Sequence, residues 1–89
     1  MKAKLKESVM VRVESDDYAM VYDADTGSSF AITPTAVYIA NCLTGEKTIQ
    51  NIADKIREEF EGVPENIEAV VEKFILTLIE RKMAEAVEE

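Results

Sequence analysis

The sequence predicts an α+β fold of the winged helix-turn-helix type, a three-stranded N-terminal β-sheet or hairpin followed by three α-helices. Three features carry that expectation. The first third alternates apolar and polar residues with period two, the rest shows capped helical stripes, and the last two helices are joined by a very short connection.

Val9, Val11 and Val13 alternate with Met10, Arg12 and Glu14, as a half-buried strand requires. Ser15-Asp16-Asp17 is a turn cluster, and Tyr18 to Asp23 is a second β-prone run. Asp25-Thr26-Gly27 forms a hairpin turn, after which Ser28 to Ile32 returns as the third strand. Thr33-Pro34 places a cap before a proline at the first helical position, and this helix runs to about Leu43, with Gly45 as its stop. Thr48 caps the second helix, whose Ile49, Ile52, Ala53, Ile56 and Phe60 share one face until Gly62. The third helix spans roughly Pro64 to Lys82. Ile67, Val70, Val71, Phe74 and Leu78 form its core stripe, whereas Leu76, Ile79 and Met83 fall more than about 100° away, with Ile75 between. A helix packed on one side only does not need that second apolar set. Either the C-terminal segment folds back over it or a partner covers it.

Eighty-nine residues make one domain with one thin core. Apolar residues are 47% and charged residues 31%, a balance that argues against disorder. The expected boundaries are a flexible tail over 1–7, the domain over 8–86 and a C-terminal tail over 87–89. The net charge of -8 makes nucleic acid a poor partner, because such affinity comes largely from Lys and Arg displacing counterions. Lys2, Lys4, Lys6 and Arg12 form the one basic cluster and read as a solvated tail rather than a docking contact. No apolar run is long enough for a membrane span and no secretion signal follows Lys6, so the expected compartment is the cytoplasm.

Catalytic chemistry finds little to work with. The chain has no His, so the commonest general base and metal ligand are both missing, and Cys42, the single cysteine, has no activating partner. Asp16-Asp17 and Glu58-Glu59 read as solvated charge. Asp23, Asp25 and Gly27 begin like a calcium loop, but the closing ligands are out of register. Asp25-Thr26-Gly27-Ser28-Ser29 matches the short aspartic-protease signature, yet that chemistry needs a second such Asp on an all-β scaffold. The hairpin reading takes precedence. Neither cofactor nor metal is expected.

The segments Val21-Tyr22-Asp23, Thr26-Gly27 and Phe30-Ala31-Ile32-Thr33-Pro34-Thr35-Ala36 form a pattern with Ile39, Leu43, Gly45, Thr48-Ile49 and Ile52. It closes on Leu78-Ile79-Glu80-Arg81-Lys82-Met83. This pattern resembles the PqqD family, or RiPP recognition elements, over nearly the whole chain after Val9. The family often has Asn or Asp where Thr33 stands, and all three types cap a helix. The resemblance implies a peptide chaperone without catalysis. The leader of a ribosomally made precursor would add as a strand to Ser28, Ser29, Phe30, Ala31 and Ile32 and lie against the third helix at Lys73, Ile75, Leu76, Ile79 and Lys82, with Arg81 a further charge partner. The implied second partner is a modifying enzyme, commonly a radical S-adenosylmethionine protein, in pyrroloquinoline quinone or related synthesis. On this reading the Phe30 N–H pairs with the leader, and Ile79 faces a partner rather than the core.

Two rivals share these features. A DNA-binding winged helix needs a basic third helix, but Glu65, Glu68, Glu72 and Glu80 stand there against Lys73, Arg81 and Lys82. A dimerising module would bury Leu76, Ile79 and Met83 across a two-fold axis. The expected state is a monomer or a weak homodimer.

Overall fold

The computed structural model describes residues 1–87 and has the expected α+β class, with three more strands than the sequence suggests. The elements in order are β1 (Lys2–Leu5), β2 (Val9–Val13), β3 (Ala19–Asp23), β4 (Ser29–Ile32), α1 (Pro34–Asn41), β5 (Thr44–Thr48), α2 (Ile49–Glu59), α3 (Ile67–Glu80) and β6 (Ala84–Val87). They build two antiparallel sheets, β2-β3-β4 and β5-β1-β6.

The second sheet corrects the expected N-terminal tail. Lys2-Ala3-Lys4-Leu5 is a central strand: Ala3 is buried, while Lys4 points to solvent. The lysines that suggested a tail are the outward half of a period-two pattern. One edge of β1 pairs with β6, with Leu5 opposite Ala84, and the other with β5, with Lys4 opposite Thr44. The C-terminal tail expected over 87–89 starts within β6 at Val87, and positions 88 and 89 lie outside the described residues. Gly45 is likewise not the stop of α1, which ends at Asn41, but a residue of β5. Its φ of 90° suits glycine, and a side chain there would meet the Lys4 Cβ at 3.7 Å.

The first two helices start where their caps predict, whereas α3 starts at Ile67 rather than Pro64, after an Asn66 that makes no side-chain cap. The Thr33 hydroxyl accepts from the Ala36 N–H at 3.2 Å with Pro34 in the first turn, and Thr48 forms a reciprocal capping box with Asn51. Ile52, Ala53 and Ile56 enter the core as expected, and Tyr38 meets Phe60 edge to face at 5.4 Å. A two-pronged ion pair joins α2 to α3, with both Arg57 amino groups 2.7 Å from the Glu68 carboxylate. The hydrogen bond from Arg57 lowers the Glu68 carboxyl to about 2.

The end of α3 departs from expectation in an informative way. The helix stops at Glu80 in a Schellman turn: the Met83 N–H donates to the Leu78 carbonyl at 2.8 Å and the Lys82 N–H to the Ile79 carbonyl at 2.9 Å. Lys82 takes the left-handed conformation the turn needs, with φ 62°, at a cost of about 1 kcal/mol for a residue with a Cβ. The turn swings Met83 off the helical wheel and into the core beside Leu78, where both are fully buried. Met83 is therefore no part of a partner surface.

A folded-state carboxyl held below its ordinary value stabilises the fold above the unfolded pKa and loses that contribution as pH falls through the folded one. For Glu68 the window runs from its ordinary 4.5 down to about 2. Urea unfolding followed by circular dichroism should give Glu68→Gln a lower midpoint than wild type at neutral pH, with the two converging towards pH ~2. Parallel profiles across that range would remove Glu68 from the acid response.

Candidate functional site

In an antiparallel pair, residues facing each other alternate between exchanging both backbone hydrogen bonds and exchanging none. The Asp23 N–H donates to the Ser28 carbonyl at 2.9 Å, which marks Asp23–Ser28 as a bonded pair. Stepping by two along the register makes Val21–Phe30 and Ala19–Ile32 bonded pairs as well. The opposite side of β3 agrees: Ala24 donates to Ser8 and Glu14 to Tyr18, so Tyr22 and Met20 serve β2, leaving odd-numbered residues for β4.

The backbone N–H and C=O groups of Phe30 and Ile32 are thus consumed by β3. Those of Ser29 and Ala31 point the other way, to an edge that no other strand of the sheet occupies. This corrects the expectation for Phe30, whose N–H belongs to the native ladder. The strand is an open edge as predicted, but its pairing groups are those of its neighbours.

Beside that edge runs a groove of about 630 Å³ between β4, the start of α1 and α3. Phe30, Ala31 and Ile32 form one wall and Val70, Lys73, Phe74 and Thr77 the other, with Thr35, Ala36 and Ile39 from α1 and Asp17 and Tyr18 before β3 completing it. Phe30 lies on the core face opposite Val21 and is half buried. The Arg81 guanidinium sits 4.4 Å from the Phe30 ring centre, tying the end of α3 to β4.

Of the other residues expected here, Ser28 and Ser29 are exposed at the start of β4, outside the groove lining. Ile75 is 1% exposed and packs in the core, so it cannot touch a peptide. Ile79 is half buried against the same core rather than free for a partner. Leu76 is 47% exposed, but it borders a different hollow with Ala69, Glu72 and Glu80. Lys82 lies in the Schellman turn and does not line the groove. The helical wheel explains these misplacements. At about 100° per residue, Ile67, Val71, Ile75 and Leu78 cluster on one face. Val70, Phe74, Thr77 and Arg81 recur at four, seven and eleven positions on one flank, with Leu76 and Ile79 beyond the other.

Val70 and Phe74, assigned to the core by sequence, are the apolar groove wall, and Val70 remains 40% exposed. The available signal was their place on the wheel: Val70 marks one edge of a stripe about 100° wide, on the flank shared with Phe74, Thr77 and Arg81.

The remaining acids and the thiol are structural. Asp23 is 3% exposed, and hydrogen bonds from the Ser8 hydroxyl and then the Asp25 N–H hold its carboxyl below the ordinary range. It braces the hairpin whose turn holds the protease-like Asp25-Thr26-Gly27. Burial pushes the Cys42 thiol up, away from the thiolate a nucleophile needs. Among the described residues no three His, Cys, Asp or Glu side chains come together as a metal site, and no helix is long and apolar enough to cross a membrane.

The family model for coenzyme PQQ synthesis protein D (PqqD) matches residues 7–84. A search of curated proteins returns no match. Among solved structures, TbiB1 in complex with the TbiA(beta) leader peptide superposes with a TM-score of 0.73 at 21% identity, covering 97% of this chain and 99% of that one. A lasso peptide synthetase B1 complexed with its leader peptide gives 0.73 at 20% identity, over 96% and 99%. The heterocyclase TruD gives 0.61 at 19% identity, with 93% of this chain on 11% of that one. At these identities the likeness is one of fold.

Truncation should separate the two neighbours on α3. Ile75→Ala should cost about 2–4 kcal/mol in chemical denaturation, and Leu76→Ala no more than about 0.5 kcal/mol. Equal costs would contradict the assignment of Ile75 to the core and Leu76 to the surface.

Proposed function

Because the chain belongs to the PqqD family, we propose that it is a peptide-binding adaptor that takes the leader of a ribosomally made precursor as an added strand on β4. The observation that carries this reading is the open β4 edge, with Ser29 and Ala31 presenting free backbone groups beside an apolar groove. Strand addition satisfies those groups, and the groove supplies side-chain selectivity. Two proteins with nearly the whole of this fold carry leader peptides in their solved complexes. The same fold forms about a tenth of two heterocyclase chains, which suits a recognition module that works alongside a modifying enzyme.

The finer reading is a non-catalytic domain of the cytoplasm, presenting its peptide to a radical S-adenosylmethionine enzyme in pyrroloquinoline quinone or related synthesis. Adaptor action needs no general base or activated thiol, in keeping with the missing His and the half-buried, unactivated Cys42. The dimer alternative is weakened, since of its expected contact set Met83 is buried and Ile79 half buried, which leaves only Leu76 of the three exposed. A DNA-reading α3 is disfavoured by its own Glu68, Glu72 and Glu80.

Ala31→Pro deletes one outward N–H while leaving the β3 ladder whole, a substitution that edge strands tolerate. Calorimetric titration with the precursor peptide encoded beside the gene should show roughly two- to tenfold weaker binding in a folded protein, the value of one hydrogen bond. Phe30→Pro should instead unfold the sheet by breaking the bond to Val21. Wild-type affinity in folded Ala31→Pro would count against β4 as the docking edge.

A further inference from the structure

The cations of this acidic protein are unevenly used. Arg12 pairs with Glu14, Lys55 with Glu58, and Arg57 with both Asp54 and Glu68. The other Lys and Arg side chains make no ion pair among the described residues, although acids outnumber bases 18 to 10, and Lys73 and Arg81 are the two of them nearest the β4 groove. Lys73 lines that groove, and Arg81, outside its lining, reaches its edge by stacking on Phe30. Arg81 is held over the Phe30 ring, and its guanidinium makes no hydrogen bond or ion pair among the described residues. Lys73 lines the groove wall nearer the start of α3.

We infer that the groove selects a peptide strand carrying two carboxylates four residues apart on the same side. The inference rests on the adaptor reading and specifies its ligand. Lys73 and Arg81 are eight residues apart on a helix, about 12 Å along its axis. In an added strand, side chains on one side recur every second residue, and positions i and i+4 lie about 13 Å apart. The two spacings match. The residue at i+2 then falls beside Thr77, while the exposed Val70 lies about one turn beyond Lys73, where burial rewards an aliphatic side chain just outside the acidic pair. The two ends differ in strength. Asp17 also faces the groove, and because Ala19 pairs with Ile32 it stands at the end away from Phe30 and Arg81. Its charge opposes a carboxylate near Lys73, so the Arg81 end gives the larger share of selectivity.

The test uses fluorescein-labelled nonapeptides with the core Glu-Thr-Leu-Thr-Glu, its Gln-for-Glu and Lys-for-Glu counterparts, and a version with the acids three apart. Fluorescence anisotropy gives affinity, and amide shifts of Ser29 and Ala31 report the location. The Glu peptide should bind roughly three- to tenfold more tightly than the Gln peptide, with the gap narrowing at high salt. Arg81→Gln should remove most of that gap without weakening the Gln peptide, and Arg81→Glu should shift preference towards the Lys peptide. Equal affinity for the Glu and Gln peptides, with both shifting Ser29 and Ala31, would overturn the charge pattern and leave the adaptor reading standing. Failure of every designed peptide would also overturn the pattern. The precursor encoded beside the gene, titrated in parallel, then reports separately on the adaptor reading.

Discussion

The hydrogen-bond alternation between β3 and β4 governs what this molecule can do. A strand paired on one side satisfies every second residue and leaves the intervening ones facing outward. Here Phe30 and Ile32 are spent on β3, and Ser29 and Ala31 are left for something else. The same alternation sends the Phe30 and Ile32 side chains towards α3, so one short strand offers both an open edge and one wall of a groove. If the Asp23–Ser28 bond at the hairpin moved by one residue, both the edge and the wall would invert. Asp23 and its hydrogen bonds at that turn therefore bear on recognition as well as folding.

The second sheet gives that arrangement a base. With β1 between β5 and β6, the two ends of the chain and the connection between α1 and α2 are locked together. The Arg57–Glu68 pair joins α2 to α3 and the Schellman turn delivers Met83 to the core, so α3 is held at both ends. One face of α3 can then be buried completely while the adjacent flank stays open opposite β4. Arg81 stacks on Phe30 at the edge of the groove, with no acidic partner among the described residues.

Much of this was legible in the sequence. The three strands of the first sheet, the three helices and the caps at Thr33 and Thr48 followed from periodicity and turn chemistry, while the attention to β4 came from the family resemblance. What was missed has physical causes. β1 hid behind alternating lysines, because outward-facing residues of a narrow strand can be charged without ceasing to be strand. β5 and β6 carry almost no period-two apolar signal, since their pairing comes from a distant segment. On α3 the sequence located a surplus of apolar positions but assigned it to the wrong flank. A left-handed turn at Lys82, a residue that gives no local warning of one, removed Met83 from the wheel. The orientation of the Phe30 N–H depends on register, and register became readable only from the hairpin bond at Asp23.

The most direct measurement is amide hydrogen exchange across β4, with and without the precursor peptide encoded beside the gene. Alone, the protein should show slow exchange at Phe30 and Ile32 and fast exchange at Ser29 and Ala31, and the peptide should slow Ser29 and Ala31 selectively. Fast exchange at Phe30 in the free protein, or peptide protection that bypasses Ser29 and Ala31, would contradict the account.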